Sequence, residues 1–132
     1  MRIRTCVACL STLAWLTGAL PIARADDASE GRDFFVFQCV GCHAFACNKE
    51  GPMLGGLFGR KAGSVADYDG YSPELRDSGI VWSEDTLDSF FADPGKVVES
   101  TMAFDGKIED PDLRRKTIAF LKTEDPSVNL CF

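Results

Sequence analysis

Helix signals, from apolar spacing or from caps and stops, come in four segments of the chain. "DASEGRDFFVFQC" sets Asp27 at an N-cap position with Glu30 three residues on, and carries Phe34, Phe35 and Phe37 as a greasy face. "SPELRDSG" has Ser72 to cap, Pro73 in the first turn and Gly79 as a stop. "SEDTLDSFFADP" opens at Ser83, repeats apolar residues at Leu87, Phe90 and Phe91, and ends before Pro94. "DPDLRRKTIAFLKTEDP" opens with Asp110 and Pro111, uses Leu113, Ile118, Phe120 and Leu121 as apolar positions, and has Pro126 beyond its end. No alternating strand pattern of useful length interrupts these segments. Between them lie "GPMLGGLFGRKAGS" and "DPGKVVESTMAFDGKI", rich in glycine and apolar without a period. Loops this long are uncommon in a small domain unless they wrap something. The pattern predicts an all-α domain of about four helices whose long loops need an object to pack on.

The first 25 residues read differently. A basic start, "MRIRT", precedes the uncharged run "VACLSTLAWLTGALPIA", and "ARA" puts small residues three places and one place before Asp26. This is the form of a secretory signal cleaved after Ala25, leaving residues 26–132 as a single domain. An uncleaved anchor fits less well, because the uncharged run is short for a membrane span. Cys6 and Cys9 leave with the signal. Loss of Arg2, Arg4 and Arg24 takes the net charge from −6 to −9. So acidic a chain is a poor nucleic-acid binder, and an electrostatic partner should be basic. No other segment is long enough to span a membrane. Export leads to an oxidising compartment, where thiols usually pair. The remaining cysteines, Cys39, Cys42, Cys47 and Cys131, are too few for a disulfide-dense scaffold, so a buried cofactor is the expected completion of the small core.

Residues 39–43 read "CVGCH" and hold the only histidine of the chain. Cys-x-x-Cys-His is the attachment sequence of a c-type haem. Two thioethers from one helical turn hold the vinyl-derived carbons along one porphyrin edge, and the next residue places an imidazole under the iron. Cys39 and Cys42 are then the covalent anchors and His43 the proximal ligand. A thioredoxin-type dithiol would need a preceding strand in a βαβ setting, a zinc site would need a second ligand cluster, and a plain Cys39–Cys42 disulfide leaves His43 unexplained.

With that motif, "EGRDFFVFQCVGCH", "GPMLGGLFGRKAG", "GIVWSEDTL", "STMAF" and "IAFLK" follow one another in the order found in class I cytochromes c of the mitochondrial and purple-bacterial type, which the chain resembles from about Gly31 to Lys122. The resemblance implies a small cytochrome c fold wrapped around one covalently bound haem. It aligns Gly31 and Phe35 with first-helix positions that cross the last helix, and Phe120 with their aromatic partner. Pro52 matches the proline whose carbonyl accepts the proximal histidine Nδ1–H, a bond that fixes the ring and raises its basicity. Arg60, Tyr71 and Trp82 match groups that hydrogen-bond the haem propionates, and Leu54 and Phe104 match residues packed on the haem faces. Met102, in "STMAF", matches the distal ligand, whereas Met53 follows Pro52 on the proximal loop and has no such role. His/Met ligation raises the potential and leaves no open position on the iron.

The chain also departs from that pattern. The loop from His43 to Gly51 is short and contains Cys47; export and the even cysteine number suggest a Cys47–Cys131 disulfide, which the family does not require. The distal loop is one residue short, which leaves the equivalence of Thr101 open. "DYDGY" carries one residue more, so Tyr68 and Tyr71 compete for one role, with Tyr71 keeping its spacing to Trp82. Leu75 stands where a polar residue is common near the haem. Lys49, Lys96 and Lys107 remain near the haem edge, but Glu99 and Gln38 replace basic positions.

These features imply a periplasmic, monomeric electron carrier rather than an enzyme. Its expected donor is a membrane quinol complex or a periplasmic dehydrogenase, and its expected acceptor an oxidase, a reductase or a photosynthetic centre, met through a basic or apolar patch. The rivals are a peroxidase-like or gas-binding haem protein with a labile Met102, and a detached domain of a larger redox complex.

Overall fold

The structure, a computed structural model, describes residues 25–98 and 107–131. Met102, Phe104 and all of the expected signal but Ala25 lie outside the described residues. Five α-helices are described, α1 (Ala25–Gln38), α2 (Pro73–Asp77), α3 (Glu84–Ala92), α4 (Pro94–Val97) and α5 (Pro111–Leu121), followed by a 3-10 turn at Pro126–Val128. No named strand occurs among the described residues.

The helix starts follow local chemistry. Ser72 Oγ accepts the Leu75 amide at α2. At α3 the Ser83 and Thr86 hydroxyls accept each other's backbone amides, a capping box closed by threonine. Asp110 accepts the Asp112 amide ahead of Pro111 at α5. Two expectations are corrected. Asp27 is not an N-cap: α1 already includes Ala25, and the Asp27 carboxylate accepts from Arg115 of α5, while Glu30 takes Lys116 rather than closing a capping box. The reason is tertiary, since α5 brings cations to acids that would otherwise cap locally. Pro94 does not merely end α3; its fixed φ also opens the short α4.

α1 and α5 pack face to face. Their crossing is close because Gly31 has no side chain: a Cβ there would collide with the Lys116 carbonyl and stand 2.9 Å from the Thr117 nitrogen. Beneath it Phe35, Phe45 and Phe120 form a triangle with ring centroids 5.3 to 6.1 Å apart. The single buried polar side chain among the described residues, Thr117, donates its hydroxyl to the Leu113 carbonyl within the helix. The glycine-rich segment after His43 is tied to the approach of α3 by an isolated antiparallel bridge between Lys61 and Val81. The Gly59 amide donates to Trp82 O (2.8 Å) and the Trp82 amide to Arg60 O (3.0 Å), which sets Arg60 and Trp82 side by side. No described helix is long and apolar enough to cross a membrane.

Candidate functional site

The end of α1 runs on through one more helical turn. The Cys39 amide donates to Phe35 O (2.8 Å) and the His43 amide to Cys39 O (2.9 Å). Residues four apart in such a turn share a face, so Cys39 and His43 point the same way, with Cys42 at the outer rim. That face opens on a cavity of about 560 Å³, within the range of cofactor sites. Cys39, Cys42, His43, Pro52, Leu54, Arg60, Tyr71 and Trp82 all line it. These are the eight described residues that the sequence nominates for a cofactor, brought together from three separate stretches of chain. Met102 and Phe104 lie outside the described residues.

His43 Nδ1 is 2.8 Å from the Pro52 carbonyl. A carbonyl can only accept, so Nδ1 carries the proton and Nε2 keeps its lone pair for a ligand. Burial lowers the His43 pKa, against the opposing pull of the Pro52 bond, and so favours the neutral imidazole that a metal requires. Gly51 makes room for the ring: a Cβ there would overlap it, reaching within 2.6 Å of Nε2 and 2.7 Å of Nδ1. Cys39 and Cys42 are both free thiols. Burial, and then the neighbouring Cys42, push Cys39 up to about 11, so its thiol stays protonated at neutral pH.

The polar end of the cavity is built by Arg60 and two tyrosines. Arg60 donates Nη1 to Gly55 O (2.7 Å) and Nη2 to Met53 O (2.8 Å), which clamps the loop and holds a half-buried cation beside the cavity. Burial lowers its pKa, opposed by Tyr71 and Glu124. Tyr68 and Tyr71 meet edge to face at 4.8 Å. The Tyr68 hydroxyl donates to the Glu50 carbonyl (2.6 Å), so its proton is committed. Burial raises the pKa of both phenols. Met53 lies on the proximal loop, where its amide donates to Asn48 Oδ1 and its carbonyl accepts from Arg60.

Sequence reasoning did not assign Leu87, Phe90 and Phe91 to the site. They form a wall of it, with Trp82 and Phe90 edge to face at 5.2 Å. The available signal was three bulky apolar residues in a helix of nine, more than so short a helix needs to cover α5. Asp93 and Lys107 flank the mouth 3.4 Å apart, and Lys96 reaches the same carboxylate at 3.2 Å. Leu75 lines the cavity as well. Lys49 donates its ammonium to Val40 O instead of projecting from the rim.

The C-terminal tail closes the proximal side. Asn129 Oδ1 accepts the Ala46 amide and Glu124 Oε1 the Gly56 amide. The Cys47 and Cys131 sulfurs stand 2.06 Å apart, with their Cα atoms at 6.0 Å.

The residues present fit a c-type haem. They supply two free thiols at one rim, an imidazole with Nε2 available, apolar walls, and a cation with a phenol where carboxylates need partners. Among the described residues no three His, Cys, Asp or Glu side chains gather to hold a bare metal ion, so a zinc reading has no second cluster here.

Comparison with known proteins agrees with this geometry. The chain is 39% identical over 106 residues to cytochrome c of Arabidopsis thaliana, covering 78% of this chain and 94% of that one. It is 34% identical over 110 residues to cytochrome c2 of Blastochloris viridis, covering 81% and 85%. Among solved structures it is similar to cytochrome cH from Methylobacterium extorquens, with a TM-score of 0.64 and 39% identity over 74% of this chain and 98% of that one. No family model matches the chain.

Proposed function

The chain belongs to the class I cytochromes c, electron carriers with one covalently attached haem c, and on that premise we propose that it is a periplasmic carrier of single electrons whose haem iron is ligated by His43 and Met102. One observation carries the reading: residues scattered between positions 39 and 82 converge on one cavity, with His43 already oriented by Pro52.

Bound haem supplies a reversible one-electron couple. The protein's part is to hold, orient and insulate. Cys39 and Cys42 anchor the group covalently, and His43 offers Nε2 while Pro52 keeps Nδ1 protonated. Leu54 and the α3 wall would exclude water from the haem, and Phe104 would pack on it as the family resemblance implies. Arg60, Tyr71 and Trp82 would hold the propionates; Tyr71 would take the phenol role, because the Tyr68 hydroxyl already donates to the Glu50 carbonyl. Met102 would supply the second ligand to the iron, which with His43 would leave no open position for a substrate. Cleavage after Ala25 delivers the domain to the periplasm, where Cys47 and Cys131 form a disulfide that pins the tail to the proximal loop. Its donor is a membrane quinol complex or a periplasmic dehydrogenase, and its acceptor an oxidase, a reductase or a photosynthetic centre.

The test is an optical spectrum of the purified holoprotein in both redox states, extended to the weak near-infrared band of ferric iron–methionine ligation. The expected result is a band that disappears in Met102→Ala. A high-spin wild-type spectrum with rapid carbon monoxide binding on reduction would overturn the carrier reading in favour of a gas-binding or peroxidase-like protein.

A further inference from the structure

The run from Phe34 to Asn48 contains no Asp, Glu, Lys or Arg, in a chain that is 26% charged. Part of that run is buried in the aromatic triangle and the cavity, but its outer side is not. Phe37 is 85% exposed, the most exposed large apolar side chain among those described, and Val36 beside it is 39% exposed. A single exposed apolar residue is ordinary. Phe37 differs in its position: it lies two residues before Cys39, and one helical turn beyond it come Val40 and the exposed Gly41. A Cβ built on Gly41 meets no atom of the described residues within 4 Å, so none of them stands over the stretch between the two anchoring cysteines. The one nearby ammonium, Lys49, is turned onto Val40 O at 2.7 Å. The stretch beside the cofactor anchors therefore exposes Val36 and Phe37 and carries no charged side chain from Phe34 to Asn48.

Its border is acidic. Glu50 and Tyr68 line the cavity next to Cys42, and Asp67 and Asp69 flank Tyr68. All three acids are exposed, and none forms an ion pair among the described residues. Lys107, on the cavity lining, and Lys96 share Asp93 instead.

The geometry points to Phe37 as the apolar anchor of the electron-transfer docking surface, received by an apolar pocket on a redox partner whose adjoining border is lysine- and arginine-rich and faces Glu50, Asp67 and Asp69. The inference rests on the carrier reading above and adds to it the side by which electrons leave. Aromatic anchors dominate interface energies where they are fully desolvated, and surrounding charge sets encounter rate more than affinity. An uncharged contact beside the thioethers also brings the partner to the cofactor without burying an unpaired charge.

The experiment follows oxidation and reduction of the haem-loaded protein by an extract of the source cells that retains their membranes, for wild type, Phe37→Ser and Phe37→Leu, with ferricyanide as a small reagent that needs no docking pocket. Phe37→Ser is expected to lower the second-order rate with extract about tenfold, equivalent to about 1.4 kcal/mol. Phe37→Leu should recover most of it, and the ferricyanide rate and thermal midpoint should not change. The wild-type rate with extract should fall as salt rises. Equal extract rates for wild type and Phe37→Ser would overturn the anchor, and a rate that rises with salt would overturn the basic partner. A wild type that the extract neither oxidises nor reduces would instead count against the carrier reading itself.

Discussion

Replacing Gly31 with alanine tests what holds α1 against α5. The new Cβ would meet the Lys116 carbonyl and the Thr117 nitrogen, both backbone atoms that cannot rotate away. Restoring van der Waals separation requires the two helices to part by roughly 1 Å. Overpacking of this size costs about 1–3 kcal/mol. The separation also loosens Phe35 from Phe120 at 5.3 Å, a pair worth about 0.5–1.5 kcal/mol beyond its buried area. Helix propensity acts the other way, favouring alanine over glycine by about 1 kcal/mol. The balance is a loss of about 2 kcal/mol, or a fall in Tm of roughly 8–16 °C for a domain of this size. Guanidinium unfolding of the holoprotein, followed by far-ultraviolet circular dichroism, measures it. Gly41→Ala, in open space, is the control and should change stability by less than about 0.5 kcal/mol. A Gly31→Ala protein as stable as wild type would refute the claim that the crossing is set by backbone contact at Gly31.

Three further outcomes follow from the geometry. Gly51→Ala should displace the His43 ring from the Pro52 carbonyl, changing the reduction potential and the proximal-ligand spectrum; an unchanged potential would show that the loop yields without cost. Cys131→Ser should destabilise the domain by up to about 4.6 kcal/mol on the loop-entropy estimate for a bridge spanning 84 residues, and the unreduced, unfolded wild type should show no alkylatable Cys47 or Cys131. Acid should weaken the α1–α5 junction at Asp27 and the first turns of α5 at Asp112. Asp27 and Asp112 are held below the ordinary carboxylate value, chiefly by hydrogen bonds from Arg115 and Lys116 respectively, so their contribution is present above about pH 4 and is lost as pH falls through the folded-state values. Arg115→Met should therefore flatten the acid limb of a stability–pH curve, and an unaltered limb would assign acid sensitivity to other carboxylates.

Much of this protein is local, and its sequence determined that much. Cys39, Cys42 and His43 need only one helical turn to share a face, so their spacing alone specifies the cofactor chemistry. Ser72, Ser83 and Asp110 cap the helices that follow them, because a cap reaches no further than three residues. What long-range packing decided was not legible there. The Asp27 carboxylate went to Arg115, 88 positions away, because α5 lies beside α1. The Tyr68 hydroxyl went to the Glu50 carbonyl, a contact that its spacing to Tyr71 and Trp82 does not reveal. Leu87, Phe90 and Phe91 looked like an ordinary helix face until α3 was placed against Trp82. The charge-free stretch around Phe37 shows the same division: its composition is written in the chain, but only the fold buries Phe35 and Phe45 and leaves Phe37 facing out. A periodic pattern reports which residues avoid water, whereas the partner that covers each of them is chosen by contacts between segments far apart in the chain.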